Sequence, residues 1–155
     1  MNVFKLLRFS TTLLLFCSVF CQKTKAQQWK ENAVADVTRQ AALVKAGDID
    51  GDGDLDVVAS FPEDTLSWFE NLGSGDFARR FKISNAGLIE YFELADLDND
   101  GDMDIASSRG KGMWFENLGG GAFAQADTLA NTLDLTSGVD VADLNQNGRL
   151  DILTI

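Results

Sequence analysis

Beyond residue 26 the chain alternates short apolar runs with clusters of Gly, Asn and Asp. No stretch of ten or more residues there keeps an uninterrupted apolar period of 3.6, so the pattern predicts strands and no long helix. Val57-Val58-Ala59-Ser60 is rich in β-branched residues and reads as one strand. Leu66–Leu72 reads as the next, and Gly73-Ser74-Gly75-Asp76 turns the chain into the last strand of the set at Phe77–Ile83. Tyr91–Ala95 opens the next set, followed by Ile105–Ser108, Met113–Leu118, the turn Gly119-Gly120-Gly121 and Phe123–Leu129. The final residues, Asp151–Ile155, read as the second strand of a third set. At the other end, Trp29 lies 48 residues before Phe77, so Gln28–Val37 reads as a lone fourth strand.

The order repeats as well as the composition. Trp-Phe-Glu-Asn-Leu-Gly occurs at Trp68 and again at Trp114, 46 residues later. A period of about 40–50 residues holding four short strands is the signature of a propeller blade. The expected fold class is all-β, with four-stranded antiparallel blades of the β-propeller type. About two and a half blades are accounted for, which predicts an incomplete ring, since closure at this period takes roughly 190–380 residues.

Between the first and second strand of each set lies an acidic stretch. Asp48, Asp50, Asp52, Asp54 and Asp56 alternate within nine residues, with Gly53 at the sixth position. Asp96, Asp98, Asp100, Asp102 and Asp104 repeat the pattern around Gly101, and Asp143, Asn145, Asn147, Arg149 and Asp151 repeat it around Gly148. Neighbouring carboxylates roughly 6 Å apart repel by about 0.7 kcal/mol in water and by several times that at a partly dry surface. Packing alone gives no reason to collect such repulsion. A calcium ion does, because it takes six to eight oxygens from short loops of Asp side chains that turn at a Gly. Asn at positions 3 and 5 still offers a side-chain oxygen. Position 7 gives its backbone carbonyl in loops of this type, so Arg149 fits there as well as Asp54 or Asp102 does. A merely acidic, solvated turn would explain the charge but neither the glycine nor the alternation. The helix-flanked calcium loop of an EF-hand or dockerin closes with a carboxylate or similar ligand at position 12, where this chain has Ala59, Ser107 and Thr154.

Residues 1–26 follow another logic. Lys5 and Arg8 precede an apolar run from about Leu13 to Cys21, and Thr24-Lys25-Ala26 supplies small residues before Gln27. This is the order of a secretory signal peptide, and the run is about half what a membrane span needs. A lipoprotein signal ending at Cys21 fits less well, because Phe20 is bulky where a small residue is wanted. The domain division is therefore a signal peptide at 1–26 and a repeat region at 27–155. The product is expected outside the cytoplasm, secreted or at the cell surface or in a periplasm.

Export sharpens the charge balance. Four of the 13 basic residues and none of the 24 acidic ones precede Gln27. Twelve of the acids lie in the three loops, so the acidity is largely ligand chemistry. Nucleic acid is an unsuitable partner, since no basic patch is present to meet phosphate. Both cysteines, Cys17 and Cys21, fall within the leader. An exported chain without disulfides needs another staple, and bound metal supplies one.

The chain contains no histidine, which excludes a Ser-His-Asp triad and histidine-bound zinc. Glu70 and Glu116 recur in the hairpins, where a structural role is the simpler reading. The Trp68-Phe69 and Trp114-Phe115 pairs fit packing between blades better than sugar stacking. Gly73–Gly75 and Gly119–Gly121 each precede a strand, whereas phosphate loops precede a helix.

The acidic loops, the Trp-Phe-Glu-Asn-Leu-Gly hairpins and the Phe that follows each one resemble FG-GAP or VCBS-type repeats, similar to those of the integrin alpha-subunit propeller and of many secreted bacterial proteins. The resemblance covers nearly everything after the leader. It implies blades around an axis, each able to carry one calcium near its rim. By that match Asp48, Asp50, Asp52 and Asp56 are ligands, as are Asp96, Asp98, Asp100 and Asp104, with Asp143, Asn145, Asn147 and Asp151 as the third set. The function expected is a secreted, non-catalytic calcium-binding module for adhesion or for binding an extracellular protein or carbohydrate. Two other classes stay open: the propeller of a polysaccharide-active enzyme whose chemistry lies in other sequence, and a purely structural calcium-stabilised scaffold.

Overall fold

The computed structural model of the chain describes residues 34, 40–62, 65–78, 80–84, 89–129 and 137–155. The predicted signal peptide and, apart from Val34, the lone strand at Gln28–Val37 lie outside them. The described residues are all-β. A first sheet holds β1 (Leu43–Gly47), β2 (Asp56–Phe61), β3 (Thr65–Phe69) and β4 (Phe81–Ser84) in the order β1-β2-β3-β4. A second holds β5 (Tyr91–Ala95), β6 (Asp104–Arg109), β7 (Lys111–Phe115) and β8 (Asp127–Thr128) in the same order. The last two strands, β9 (Val139–Ala142) and β10 (Asp151–Thr154), pair as the first two of a third set. Every pairing is antiparallel.

The fourth strands begin later than the sequence predicts. Phe77 and Phe123 sit in isolated bridges opposite Asn71 and Asn117, and the ladders resume only at Phe81 and Asp127. Amide bonds from Leu72 to Asp76 and from Ala78 to Glu70 close the hairpin mouth locally, and a register shift between Leu66 and Ser67 lets the chain rejoin the sheet.

Alternation along each strand sends successive side chains to opposite faces. Val58, Leu66 and Trp68 from one face of the first sheet meet Phe92, Ile105 and Phe115 of the second, with Ile49 and Ile89 completing a single core. Full burial of each such side chain stabilises the fold by about 1.5–3 kcal/mol. Phe92, Ile105 and Phe115 hold, one repeat later, the positions of Val44, Val57 and Phe69. In the first sheet Val57 and Phe69 form a separate cluster with Ala59, Phe61, Phe77 and Val34. Each sheet thus presents its two faces in the same order. The first strands stand side by side, β1 beside β5 and β5 beside β9. Lys45 of β1 reaches across to Glu93 of β5, its Nζ 2.6 Å from both carboxylate oxygens.

Candidate metal-binding loops

Each acidic stretch joins the first strand of a set to its second, and its ninth residue opens that second strand. Strands flank all three stretches, so the helical type of calcium loop does not apply. The backbone is wound the same way in each. Position 4 is left-handed at Gly51 (φ 80°), Asn99 (65°) and Gln146 (58°), and position 6 at Gly53 (95°), Gly101 (100°) and Gly148 (83°). The first set of angles includes the left-handed basin that Asn can enter; the second lies beyond it, where only glycine is free of Cβ strain.

This winding points backbone amides at the acidic side chains. Asp48 accepts from Gly51 (2.9 Å) and Gly53 (3.0 Å), Asp96 from Asp100 and Gly101 (both 3.1 Å), and Asp143 from Asn147 (3.0 Å) and Gly148 (2.8 Å). Asp50, Asp98 and Asn145 at position 3 each accept from the amide of position 5. Position 5 does the same for position 7, through Asp52, Asp100 and Asn147. The Arg149 amide takes part like those of Asp54 and Asp102, so the third copy folds as the others do despite its different charge.

Position 9 ties the loop to the sheet. Asp56 is fully buried, and its two oxygens accept from the amides of Ile49 (2.9 Å) and Asn71 (2.8 Å). Asp104, equally buried, accepts from Leu97 (3.1 Å) and Asn117 (2.8 Å). Burial pushes both carboxyl groups above their ordinary pKa of 3.8, against the pull of these amides, and the nearby carboxylates Asp50 and Asp52 add to the rise at Asp56. Asp151 is half-buried; its bonds come from the Leu144 amide (3.1 Å) and the Asn145 side chain (3.3 Å).

The loops gather acidic oxygens. Asp48, Asp50 and Asp56 each place a carboxylate oxygen within 4.8 Å of the other two, and Asp96, Asp98 and Asp100 do likewise. Two oxygens each about 2.4 Å from one calcium lie at most about 4.8 Å apart, so the spacing within each trio meets the limit for sharing one ion. At that spacing each pair of free carboxylates repels by about 0.9 kcal/mol in water and about 3–4 kcal/mol at a partly dry surface. An all-oxygen, multiply charged donor set suits a hard divalent cation and disfavours soft metals. Asp52, Asp54, Asp102 and Asp104 stand outside the two trios. The third loop has two carboxylates, Asp143 and Asp151, and its Asn145 and Asn147 side-chain oxygens accept the amides of Asn147 and Arg149.

Two residues that shape the site were not singled out by sequence reasoning. Asn71 and Asn117, inside the repeated hairpin motif, send their backbone N–H to the position-9 carboxylates and accept from Gly73 (3.0 Å) and Gly119 (3.1 Å). An Asn followed by Gly two residues later, repeated with the same flanks, was the available signal. One aromatic of each pair packs between the sheets: Trp68 and Phe115 share the core, and Trp68 stacks on Phe81 with ring centroids 4.8 Å apart and lies against Gly121 of the second sheet, whereas Phe69 joins the separate cluster of the first sheet and Trp114 is half-buried.

The FG-GAP-like repeat matches residues 48–107 and 105–154, so each match begins at or near an acidic loop or its second strand. Among solved structures, the chain is similar to a lectin of Agrocybe aegerita, described for its specific recognition of non-reducing terminal N-acetylglucosamine. The identity is 27%, the TM-score 0.57, and the likeness covers 71% of this chain and 31% of the lectin chain. The chain therefore spans less than a third of that lectin's length. No curated protein is significantly similar to it.

Proposed function

The chain belongs to the FG-GAP-like repeat family, and on that premise we propose that it is an exported, calcium-loaded module of β-propeller type that binds carbohydrate and has no catalytic activity of its own. The observation that carries the metal reading is the pair of carboxylate trios, Asp48/Asp50/Asp56 and Asp96/Asp98/Asp100, each spaced for one ion. Calcium would be held by these oxygens, with Asp52, Asp104 and the carbonyls of Asp54 and Asp102 as the remaining donors. The third loop would hold a weaker ion through Asp143, Asn145, Asn147, Asp151 and the Arg149 carbonyl, because two amides replace two charges. When bound, the ion cancels the repulsion within each loop and locks the rim of the sheets.

The side-by-side first strands support an arrangement of blades around a common axis, of which the described sheets form an arc. Export is supported by the charged, then apolar, then small-residue order of residues 1–26. The described residues include no helix long and apolar enough to cross a membrane. The absence of histidine and the commitment of the clustered acids to loop geometry favour binding over catalysis. Carbohydrate is favoured over protein as the ligand by the likeness to the lectin, and non-reducing N-acetylglucosamine is the first sugar to test.

The test is a glycan array probed with the purified chain in millimolar calcium and again in EDTA. Retention on glycans ending in N-acetylglucosamine, lost in EDTA, is the expected result. A calcium-loaded, folded chain that binds no glycan would remove the carbohydrate reading and leave a calcium-stabilised scaffold.

A further inference from the structure

Asn117 stands between the first two loops. It is fully buried and uses both side-chain N–H groups, one to the carbonyl of Met103 (3.2 Å) in its own repeat and one to the carbonyl of Ile49 (2.8 Å), 68 residues earlier. Its backbone N–H goes to Asp104 of the second loop. Ile49 is the second residue of the first loop, lying between the trio members Asp48 and Asp50, and its own N–H goes to the third member, Asp56. Its side chain is sealed in the core with Phe92, Ile105 and Phe115 of the second sheet. A continuous path therefore runs from Asp56 through the Ile49 peptide and the Asn117 amide to Asp104.

Asn71 supplies an internal comparison. It makes the same bond to its position-9 carboxylate, Asp56, and its side-chain N–H goes to Leu55 of its own repeat (3.1 Å). Among the described residues no bond from Asn71 to another loop is present. Asn117 differs in reaching a second loop as well as its own.

From this we infer that Asn117 is a positioning residue that couples the first two metal sites, so that loading one raises the affinity of the other. The inference rests on the calcium reading above. Moving an oxygen of the second loop onto an ion shifts the backbone that Asp104 holds, and the buried amide of Asn117 carries that shift to the Ile49 peptide. Since Asn117 has no unused side-chain N–H and no access to solvent, it cannot release the first loop without leaving the buried Ile49 carbonyl without this donor. Two sites sharing such an element bind interdependently, and coupling between sites is typically on the order of 5-fold to 150-fold in affinity.

The test uses calorimetric calcium titrations of the full chain with either loop disabled, through Asp50→Ala with Asp52→Ala or Asp98→Ala with Asp100→Ala. Disabling the second loop should weaken the first by about fivefold or more. In the Asn117→Ala chain the same pair of substitutions should change first-loop affinity by less than about twofold. Asn71→Ala should weaken the first loop directly while leaving its dependence on the second intact, which a purely structural loss at Asn117 would not mimic. If Asn117→Ala does not fold, the chain with the first loop disabled decides: the Ile49 amide resonance should move as calcium fills the second loop. Two loops that bind calcium independently, or an Ile49 resonance that stays fixed, would overturn the coupling and leave the calcium reading standing. Absence of calcium uptake by either loop would overturn both.

Discussion

The indole of Trp68 fills the space that a β-carbon on Gly121 would occupy, so the first sheet packs directly on the hairpin turn of the second. Gly121 also has φ 72°, a conformation an L-residue enters at a cost of about 1–2 kcal/mol. Its neighbour Gly120 has φ 62° and nothing within 4 Å of the equivalent position. Gly120→Ala should therefore carry the backbone penalty alone. Gly121→Ala should carry that penalty plus about 1–3 kcal/mol of overpacking against the ring. Urea unfolding of the two variants checks this, with Gly121→Ala expected to be the less stable by at least about 1 kcal/mol.

The acidic positions separate by what they hold. Asp56→Ala strips the buried amide of Ile49 and the half-buried amide of Asn71 of their acceptor, and a donor left unpaired by burial costs about 1–3 kcal/mol. The loss should be at least about 2 kcal/mol in EDTA as well as in calcium. Asp52 is exposed and accepts one amide, that of Asp54. Asp52→Ala should cost less than about 1 kcal/mol in EDTA, with any larger loss appearing only in calcium. Unfolding curves for both variants in both buffers provide the measurement.

Metal-free chain should also show a pH signature at Asp56 and Asp104. Burial raises both folded-state pKa values above the 3.8 expected when unfolded, so the folded state holds these protons more tightly. Their contribution to stability is fully present below about 3.8 and is lost as pH rises through the folded values. A calcium ion beside the carboxylates favours the charged form and pulls the pKa values back down. Carboxyl carbon resonances of Asp56 and Asp104, followed by NMR from pH 3 to 7, should titrate above 3.8 in EDTA and shift lower in calcium.

The loops were legible because their logic is local. Alternating aspartates and a glycine at position 6 identify the winding without reference to the rest of the fold, and the left-handed φ at Gly53, Gly101 and Gly148 accounts for the glycine. The four-strand order was legible from the repeated hairpin motif, and β2, β5 and β6 fall close to where the apolar runs place them. The starts of β4 and β8 were not. Apolar Phe77 and Phe123 mark a bridge that closes a hairpin, and nothing in a local pattern tells a bridge from a ladder. Least legible was Asn117, whose partner Ile49 belongs to the preceding repeat and meets it only once the sheets stack.

The central claim, that the acidic loops are calcium sites, is tested most directly by counting bound ions. At 1 mM calcium, sites with Kd of about 10⁻⁴–10⁻³ M add about 0.4–1.4 kcal/mol each to stability, so binding and melting can be followed together. Calorimetric titration should give two calcium ions per chain with a weaker third, and Asp98→Ala with Asp100→Ala should remove one and lower the melting temperature in calcium. Magnesium, which requires a tighter octahedron, should substitute poorly. An unchanged stoichiometry in that variant, or a folded wild-type chain that takes up no calcium at millimolar concentration, would contradict the account.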